Sequence, residues 1–355
     1  MGPAARGQRR QAREGTGLIM STIPRIAMTI GDPSGVGPEI AVKILSKPEN
    51  RDKALVSLLA SPEEVESLAA EFKVSVPLSD VAKQGYVQAI GTTYDGPAAK
   101  RGVASIAGGT RAMLDLERAL ELFKQDQADA ILFESLNKSA LHNAGMHEQD
   151  ELRWFARILG YDGFTSELNF IPGLTTSRVT SHVAIKDVAA GINARSVHDA
   201  ITLLNRVIQG TGIERPKLAV CALNPHAGES GQFGREEIDH IAPGIRLAQD
   251  EGVDAKGPFP CDTIFIKARA GEYDGVVTMF HDQGQIAMKL IGFDEGVTVQ
   301  GGLPVPIATP AHGTAYEIVG QGIANDTPSQ RAFDIATGLG RQTQEARVAA
   351  GNEQE

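Results

Sequence analysis

His182, His226 and His281 each stand at or just after the end of a run that reads as a β-strand, over residues 179–183, 218–223 and 275–279. Open α/β sheets gather their ligands at the carboxyl ends of strands. Three imidazoles brought to one such edge, with a coordination position left open, suit a divalent metal of the zinc type and would polarise an alcohol oxygen. A single histidine in such a turn more often satisfies its own loop. Three in the same post-strand setting favour the shared site.

Two further groups suit a phosphate-bearing cofactor. Gly31, Asp32, Gly35 and Gly37 lie in GDPSGVGPE, a turn that follows a strand over residues 26–30 and opens a helix at Pro38. Glycines there let the backbone approach a ligand, and a helix start offers unpaired N–H groups to an anion. Read alone, this is an ordinary strand-to-helix turn. Near the C-terminus, His312, Gly313, Thr314 and Ala315 form a small-residue turn before a glycine loop that ends at Asn325. Such a pair could hold the adenosine part of a cofactor. No Gly-x-Gly-x-x-Gly opens a strand–helix unit, so a Rossmann site is not indicated.

The elements that must position these residues alternate. Further strands are expected over residues 54–60 and 128–133. Helices are expected after the Ser61-Pro62-Glu63-Glu64 cap and over residues 104–124, 195–208, 235–249, 315–319 and 329–337. Short apolar runs alternating with helical stretches predict α/β layers around largely parallel strands.

Composition bounds the rest. The chain has 355 residues and a formal charge of −10. Its length suits two lobes, and its acidity argues against a nucleic-acid partner. No apolar run approaches the roughly 20 residues of a membrane span. Cys221 and Cys261 are the only cysteines, which speaks against a disulfide framework and fits a cytoplasmic setting. Residues 1–19 carry four arginines without the apolar stretch of a secretory signal, so they read as a disordered extension with Met20 as the working start. Residues 342–355 read as a frayed polar tail.

Together the segments GDPSGVGPEI, LNPHAGESGQFGREEID, MFHDQG and HGTA, in that order, resemble the 4-hydroxythreonine-4-phosphate dehydrogenase family of pyridoxal phosphate biosynthesis. The first and last also resemble isopropylmalate and isocitrate dehydrogenases. The resemblance implies a two-lobed isopropylmalate-dehydrogenase-like α/β sandwich. It divides the chain into a cofactor-side lobe of residues 20–143 with 291–341, and a metal, substrate and dimerisation lobe of residues 144–290. It implies NAD or NADP, a homodimer with the active site at the subunit interface, and His182, His226 and His281 as ligands of a divalent metal. Zinc is the expected ion, with magnesium, manganese or cobalt as substitutes. It matches Lys138 and Asp262 to catalytic residues and Lys289 to a substrate-binding lysine. A helix N-cap is the structural alternative for Asp262.

The departures concern the substrate. Counted without gaps, Asp150, Glu151 and Leu152 fall where the family has a phosphate-gripping Gly-His-Thr turn. Thr298 falls on a family asparagine, and Ile307 on an arginine. Carboxylates facing a phosphate dianion would repel it; the structural alternative is that both acids point to solvent at a helix start, where carboxylates are favoured. His147 would replace the missing histidine only if the loop is shifted. The expectation is therefore a metal-dependent NAD(P)-linked dehydrogenase oxidising a secondary alcohol of a small, unphosphorylated hydroxy acid or cyclic diol carboxylate, with loss of carbon dioxide where the product is a β-keto acid. The alternatives are 4-hydroxythreonine-4-phosphate dehydrogenase itself, an acyl or phosphoryl transferase on a similar sandwich, and a non-catalytic relative.

Overall fold

A computed structural model describes residues 23–352. The expectations for residues 1–19 and Met20 lie outside them. The chain opens with β1 (Arg25–Thr29), α1 (Gly37–Ser46), α2 (Pro48–Lys53), β2 (Leu55–Leu59) and α3 (Pro62–Glu71). Next come β3 (Leu78–Ser79), β4 (Val87–Ala89), α4 (Ile106–Lys124), β5 (Ala130–Phe133), α5 (Lys138–Asn143) and α6 (Glu151–Leu159). The middle of the chain supplies β6 (Ser166–Ile171), β7 (Leu174–Arg178), α7 (Ala194–Gln209), β8 (Lys217–Cys221), α8 (Ala242–Asp250) and β9 (Asp254–Phe259). It closes with α9 (Cys261–Arg269), β10 (Gly275–Thr278), α10 (His281–Gly292), β11 (Val297–Gly301), β12 (Ile307–Pro310) and α11 (Thr327–Asn352).

All described strands join one twelve-stranded sheet, in the order β3-β4-β2-β1-β5-β12-β11-β6-β7-β10-β8-β9. The architecture is α/β and the sheet is mostly parallel. Only β11 against β12, β11 against β6 and β6 against β7 pair antiparallel. These three pairings reverse the strand direction between β12 and β7, so β7, β10, β8 and β9 run opposite to β1, β2 and β5. Helices cover the sheet, and its strands accordingly read as apolar runs. The cores of β1 and β2 are buried almost throughout. A second apolar cluster forms where α4 and α6 pack near β5, around Leu116, Phe133, Trp154 and Phe155.

Local chemistry explains most element boundaries. Ser61 accepts from the backbone N–H of Glu64 at 3.2 Å and starts α3. Ser105 does the same for Gly108 at α4, at 3.0 Å. Asn193 and Ser196 form a reciprocal capping box at α7.

Four expectations need correction. The strand placed at residues 179–183 is β7, over Leu174–Arg178, one strand length earlier. Its Leu-Thr-Thr-Ser-Arg sequence looks polar, yet all five residues are buried. The helix expected over residues 235–249 opens as a π-helical turn at Glu237–Ile241, and α8 follows with Pro243 in its first turn, where a missing N–H costs nothing. The helix expected over residues 315–319 is a single 3-10 turn, Tyr316–Ile318, because Ala315 takes a left-handed conformation that ends regular pairing. Residues 342–352 are no frayed tail, since they extend α11.

Candidate active site

The histidine-bearing ends belong to three neighbouring strands. β7, β10 and β8 are adjacent and parallel, so His182, His281 and His226 all follow carboxyl ends on one stretch of the sheet edge. His182 and His281 meet, with ring centres 5.7 Å apart. Each is held from behind. His182 Nδ1 donates to Asp150 Oδ2 at 3.0 Å, and His281 Nδ1 lies 2.8 Å from Asp282 Oδ1. Both contacts fix the ring and leave Nε2 as the electron-pair donor, the arrangement that carboxylates give to metal-binding imidazoles.

His226 does not join this pair within one chain. It sits against Phe233, ring centres 6.5 Å apart. Among the described residues, no three His, Cys, Asp or Glu side chains form a group that could hold a metal ion. The donor set of one chain is thus two oriented imidazoles, which suit a divalent ion only as part of a larger set.

The loop carrying His226 is strained. His226, Ala227, Glu229 and Ser230 all have positive φ, between 43° and 57°, and left-handed backbone costs roughly 1–2 kcal/mol for each non-glycine residue. Glu237 holds the entry to this loop. Its Oε1 accepts from the backbone N–H groups of Leu223 and Asn224 at 2.9 and 2.8 Å. Its Oε2 accepts from the Asn224 side chain at 3.0 Å. Glu237 was missed as a functional residue, although the Arg-Glu-Glu-Ile-Asp string three residues after Gln232 displays it.

On α10, His281, Gln285 and Lys289 recur every fourth residue and so share one helix face. Gln285 donates to Asn169 Oδ1 at 2.5 Å, and Asn169 donates to Thr298 Oγ1 at 3.2 Å. Arg178, buried at the end of β7, donates to Asn169 Oδ1 at 3.3 Å and Ser181 Oγ at 2.7 Å, and pairs with Glu167. Thr298 therefore belongs to a polar row beside the histidines. Arg178, Glu167, Asn169 and Gln285 escaped the sequence reading, and a lone arginine inside a Thr-rich strand was their one signal.

Asp150 and Glu151 do not face a ligand as free carboxylates. Asp150 caps α6, accepts from Arg153 N at 2.9 Å and pairs with Arg153 Nη1 at 2.8 Å. Glu151 is buried in the first turn of that helix. Ile307 lies wholly inside the core on β12, so the residue-for-residue match to an arginine fails there. His147 packs edge-on against His142, ring centres 6.1 Å apart.

Lys138 and Asp262 are exposed and stand apart. Lys138 follows β5 and opens α5, while Asp262 follows β9 in the first turn of α9. Those strands are seven places apart in the sheet, which separates them by roughly 34 Å at about 4.8 Å per strand. One chain does not bring both to one reacting atom.

The cofactor-side turns dock on each other. Asp32 Oδ1 accepts from Ser34 N at 2.8 Å, and Asp32 Oδ2 accepts from the Tyr316 hydroxyl at 2.6 Å. Burial, reinforced by that bond, raises the Tyr316 pKa. Val36 N donates to Thr314 O at 3.0 Å. A Cβ on Gly35 would lie 2.8 Å from Thr314 O, so the glycine allows the contact. Gly31 and Gly37 press on Glu134 and Ile30 in the same way. Asp32 and these glycines therefore shape the turn, while His312, Gly313, Ala315 and Asn325 line the neighbouring cavity of about 420 Å³ with Val36 and Ile40. There His312 donates through Nδ1 to Gly313 O at 2.9 Å. Its buried Nε2 has no partner, and burial lowers its pKa. A neutral acceptor nitrogen beside an apolar wall suits an aromatic base that presents an amino group.

No described helix is long and apolar enough to cross a membrane. A family model described as pyridoxal phosphate biosynthetic protein PdxA matches residues 49–336. A Pseudomonas aeruginosa protein, provisionally named a second 4-hydroxythreonine-4-phosphate dehydrogenase, is 46% identical over 90% of this chain and 98% of its own. D-threonate 4-phosphate dehydrogenase of Pectobacterium atrosepticum is 33% identical over 87% and 97%. Among solved structures, a 4-hydroxythreonine-4-phosphate dehydrogenase from Burkholderia phymatum matches with a TM-score of 0.75 at 32% identity, over 90% of this chain and 98% of that one. A terephthalate 1,2-cis-dihydrodiol dehydrogenase from Burkholderia xenovorans matches with 0.70 at 26%, over 89% and 98%. With a family match that spans most of its length, the chain belongs to the PdxA family.

Proposed function

We propose that this protein is a metal-dependent NAD(P)-linked dehydrogenase that oxidises a secondary alcohol of a phosphorylated four-carbon hydroxy acid. The observation that carries this reading is the His182–His281 pair, each ring fixed through Nδ1 by a carboxylate and both Nε2 atoms left to bind. His226 completes the set when two copies of the chain meet. A divalent ion held there, zinc in the first instance, would supply Lewis-acid polarisation of the substrate alcohol. The cavity beside His312 would hold the adenosine end of the cofactor, whose nicotinamide would serve as hydride acceptor, and the alcohol proton would need a base among this chain's own residues. Lys138 and Asp262 hold or pass that proton. Their separation in one chain supports an interface site in a homodimer, as do the exposed Ile286 and Leu290 on α10 and Ile266 on α9.

A phosphorylated substrate replaces the unphosphorylated one expected from sequence. That expectation needed Asp150 and Glu151 to repel a dianion, but the charge of Asp150 is absorbed by Arg153, His182 and a helix start. Lys289, on the same face of α10 as His281, adds positive charge. The similarity to the dihydrodiol dehydrogenase favours a second reading, a cyclic diol carboxylate without phosphate. Specificity constants decide between them, measured with zinc, magnesium or manganese and with NAD or NADP. The panel is 4-phosphohydroxythreonine, D-threonate 4-phosphate, their dephosphorylated forms and a cis-dihydrodiol carboxylate. A phosphorylated acid is expected to lead by about a hundredfold or more, as two lost charge-assisted hydrogen bonds imply. A lead for any unphosphorylated compound overturns the substrate, and no reduced nicotinamide with any of them overturns the reaction.

A further inference from the structure

A cavity of about 720 Å³ lies far from the histidines. It opens where β7 and β10 begin, whereas the histidines follow the ends of those strands, roughly 16 Å away at about 3.3 Å per residue. Leu174, Ile208, Ile213 and Ile335 give it an apolar lining, drawn from β7, the α7 end and α11. Its charged groups are mostly spoken for. Lys53 pairs with Asp334, Arg331 with Glu295 at 2.9 Å, and Asp274 accepts from the backbone N–H of Lys217 at 2.7 Å. Arg341 is the exception. It lines the cavity, its Nε is buried with no hydrogen-bond partner, and among the described residues it has no ion-pair partner. Glu345, one turn further along α11, is exposed and does not pair with it.

A buried guanidinium nitrogen without a partner forfeits its hydration and gains nothing in return. We propose that this cleft is a second ligand site, for a monocarboxylate with an apolar body. The carboxylate meets the planar fork of Arg341, and the body lies on Leu174, Ile208 and Ile335. A phosphate dianion suits the cleft poorly, because one unpaired cation faces Asp274, Asp334 and Glu345 around it. The site is independent of the dehydrogenase reading.

The test uses the full-length protein and the fluorescent apolar anion anilinonaphthalene sulfonate, displaced by decanoate, decanol or inorganic phosphate. Decanoate is expected to displace the dye, with decanol and phosphate much weaker. Arg341→Met keeps the apolar stem and should weaken decanoate about tenfold or more, the worth of a charge-assisted hydrogen bond. Ile335→Trp should fill the cleft and abolish displacement, with far-ultraviolet circular dichroism showing both variants folded. His281→Ala should leave decanoate binding as it was. Decanoate affinity in Arg341→Met within about twofold of the parent, or phosphate displacing the dye better than decanoate, overturns the proposal.

Discussion

Asp150 and His182 meet at 3.0 Å across thirty-two positions of chain, and the same carboxylate caps a helix. Two loops are thereby fixed by one side chain: the start of α6 and the turn that follows β7. Asp150→Asn should keep the cap but lose the charge behind the ring. Zinc affinity, read by competition with a chelating dye, is expected to fall about 10- to 100-fold, as for other carboxylates behind metal-bound histidines. His182→Ala or His281→Ala should abolish stoichiometric metal and activity. Unchanged zinc affinity in all three would remove these histidines from the site.

Lys138 and Asp262 give a test of the shared interface. Lys138→Met and Asp262→Asn are each expected to be inactive. Mixed after dissociation and reassembly, they should recover about a quarter of parental activity, because half the dimers are hybrids and each hybrid holds one intact site. A mixture as inactive as its components would place both residues in the same chain's site or outside it.

Glu134 is expected to make stability fall as pH rises. It is wholly buried behind the Gly31 turn, accepts from Ser329 Oγ at 2.8 Å, and has its other oxygen unpartnered. Burial pushes its pKa from an ordinary 4.5 up to about 8, with Asp326 adding to the rise and the Ser329 bond opposing it. A carboxyl raised on folding favours the native state while protonated. That contribution is full below pH 4.5 and is lost as pH climbs to about 8, in total several kcal/mol. Glu134→Gln should therefore lose less stability than the parent between pH 5 and about 8 in urea titrations. Parallel curves for the two proteins would show that Glu134 is already ionised in the native state.

Glu237→Ala removes the acceptor of two backbone N–H groups at the entrance to the left-handed loop. A loss of about 2 kcal/mol is expected from the unsatisfied donors. Since His226 rides on that loop, activity should fall further than stability does. A stable but fully active variant would detach Glu237 from the site.

Gly35→Ala puts a methyl group 2.8 Å from Thr314 O and forces the two cofactor-side turns apart. The KM for NAD or NADP should rise about tenfold, with a stability loss of about 1–3 kcal/mol from the overpacked contact. An unchanged KM would show that the two turns can separate without disturbing the cofactor.

The sequence announced what local chemistry decides. Ser61 marks the start of α3 by its side chain alone, and the apolar runs of β1, β2 and β5 read as buried strands. β7 was hidden because its threonines and serine find partners through tertiary contacts, such as Ser177 Oγ donating to Ala200 O at 3.3 Å. The histidines were legible as strand-end residues, but their neighbourhood depends on the order β7-β10-β8, which no local pattern encodes. The distance between Lys138 and Asp262 follows from strand order too. Of the two readings of Asp150, its position at a helix start holds and repulsion of a ligand does not, while its role as a brace for His182 depends on a tertiary contact.

The antiparallel seam between the two halves of the sheet has a mechanical consequence. β11 and β6 are joined over five paired positions, from Val297 opposite Phe170 to Gly301 opposite Ser166. A loop hinge would let the halves swing with little resistance, but here the main chain itself is sewn across the boundary. Relative motion of the halves must therefore wind or unwind a sheet already twisted by about 20–25° per strand pair. Such a sheet would act as a torsion bar, storing elastic energy if the halves closed and returning it as they opened. Substrate capture would work against that spring, and product release would be driven by it.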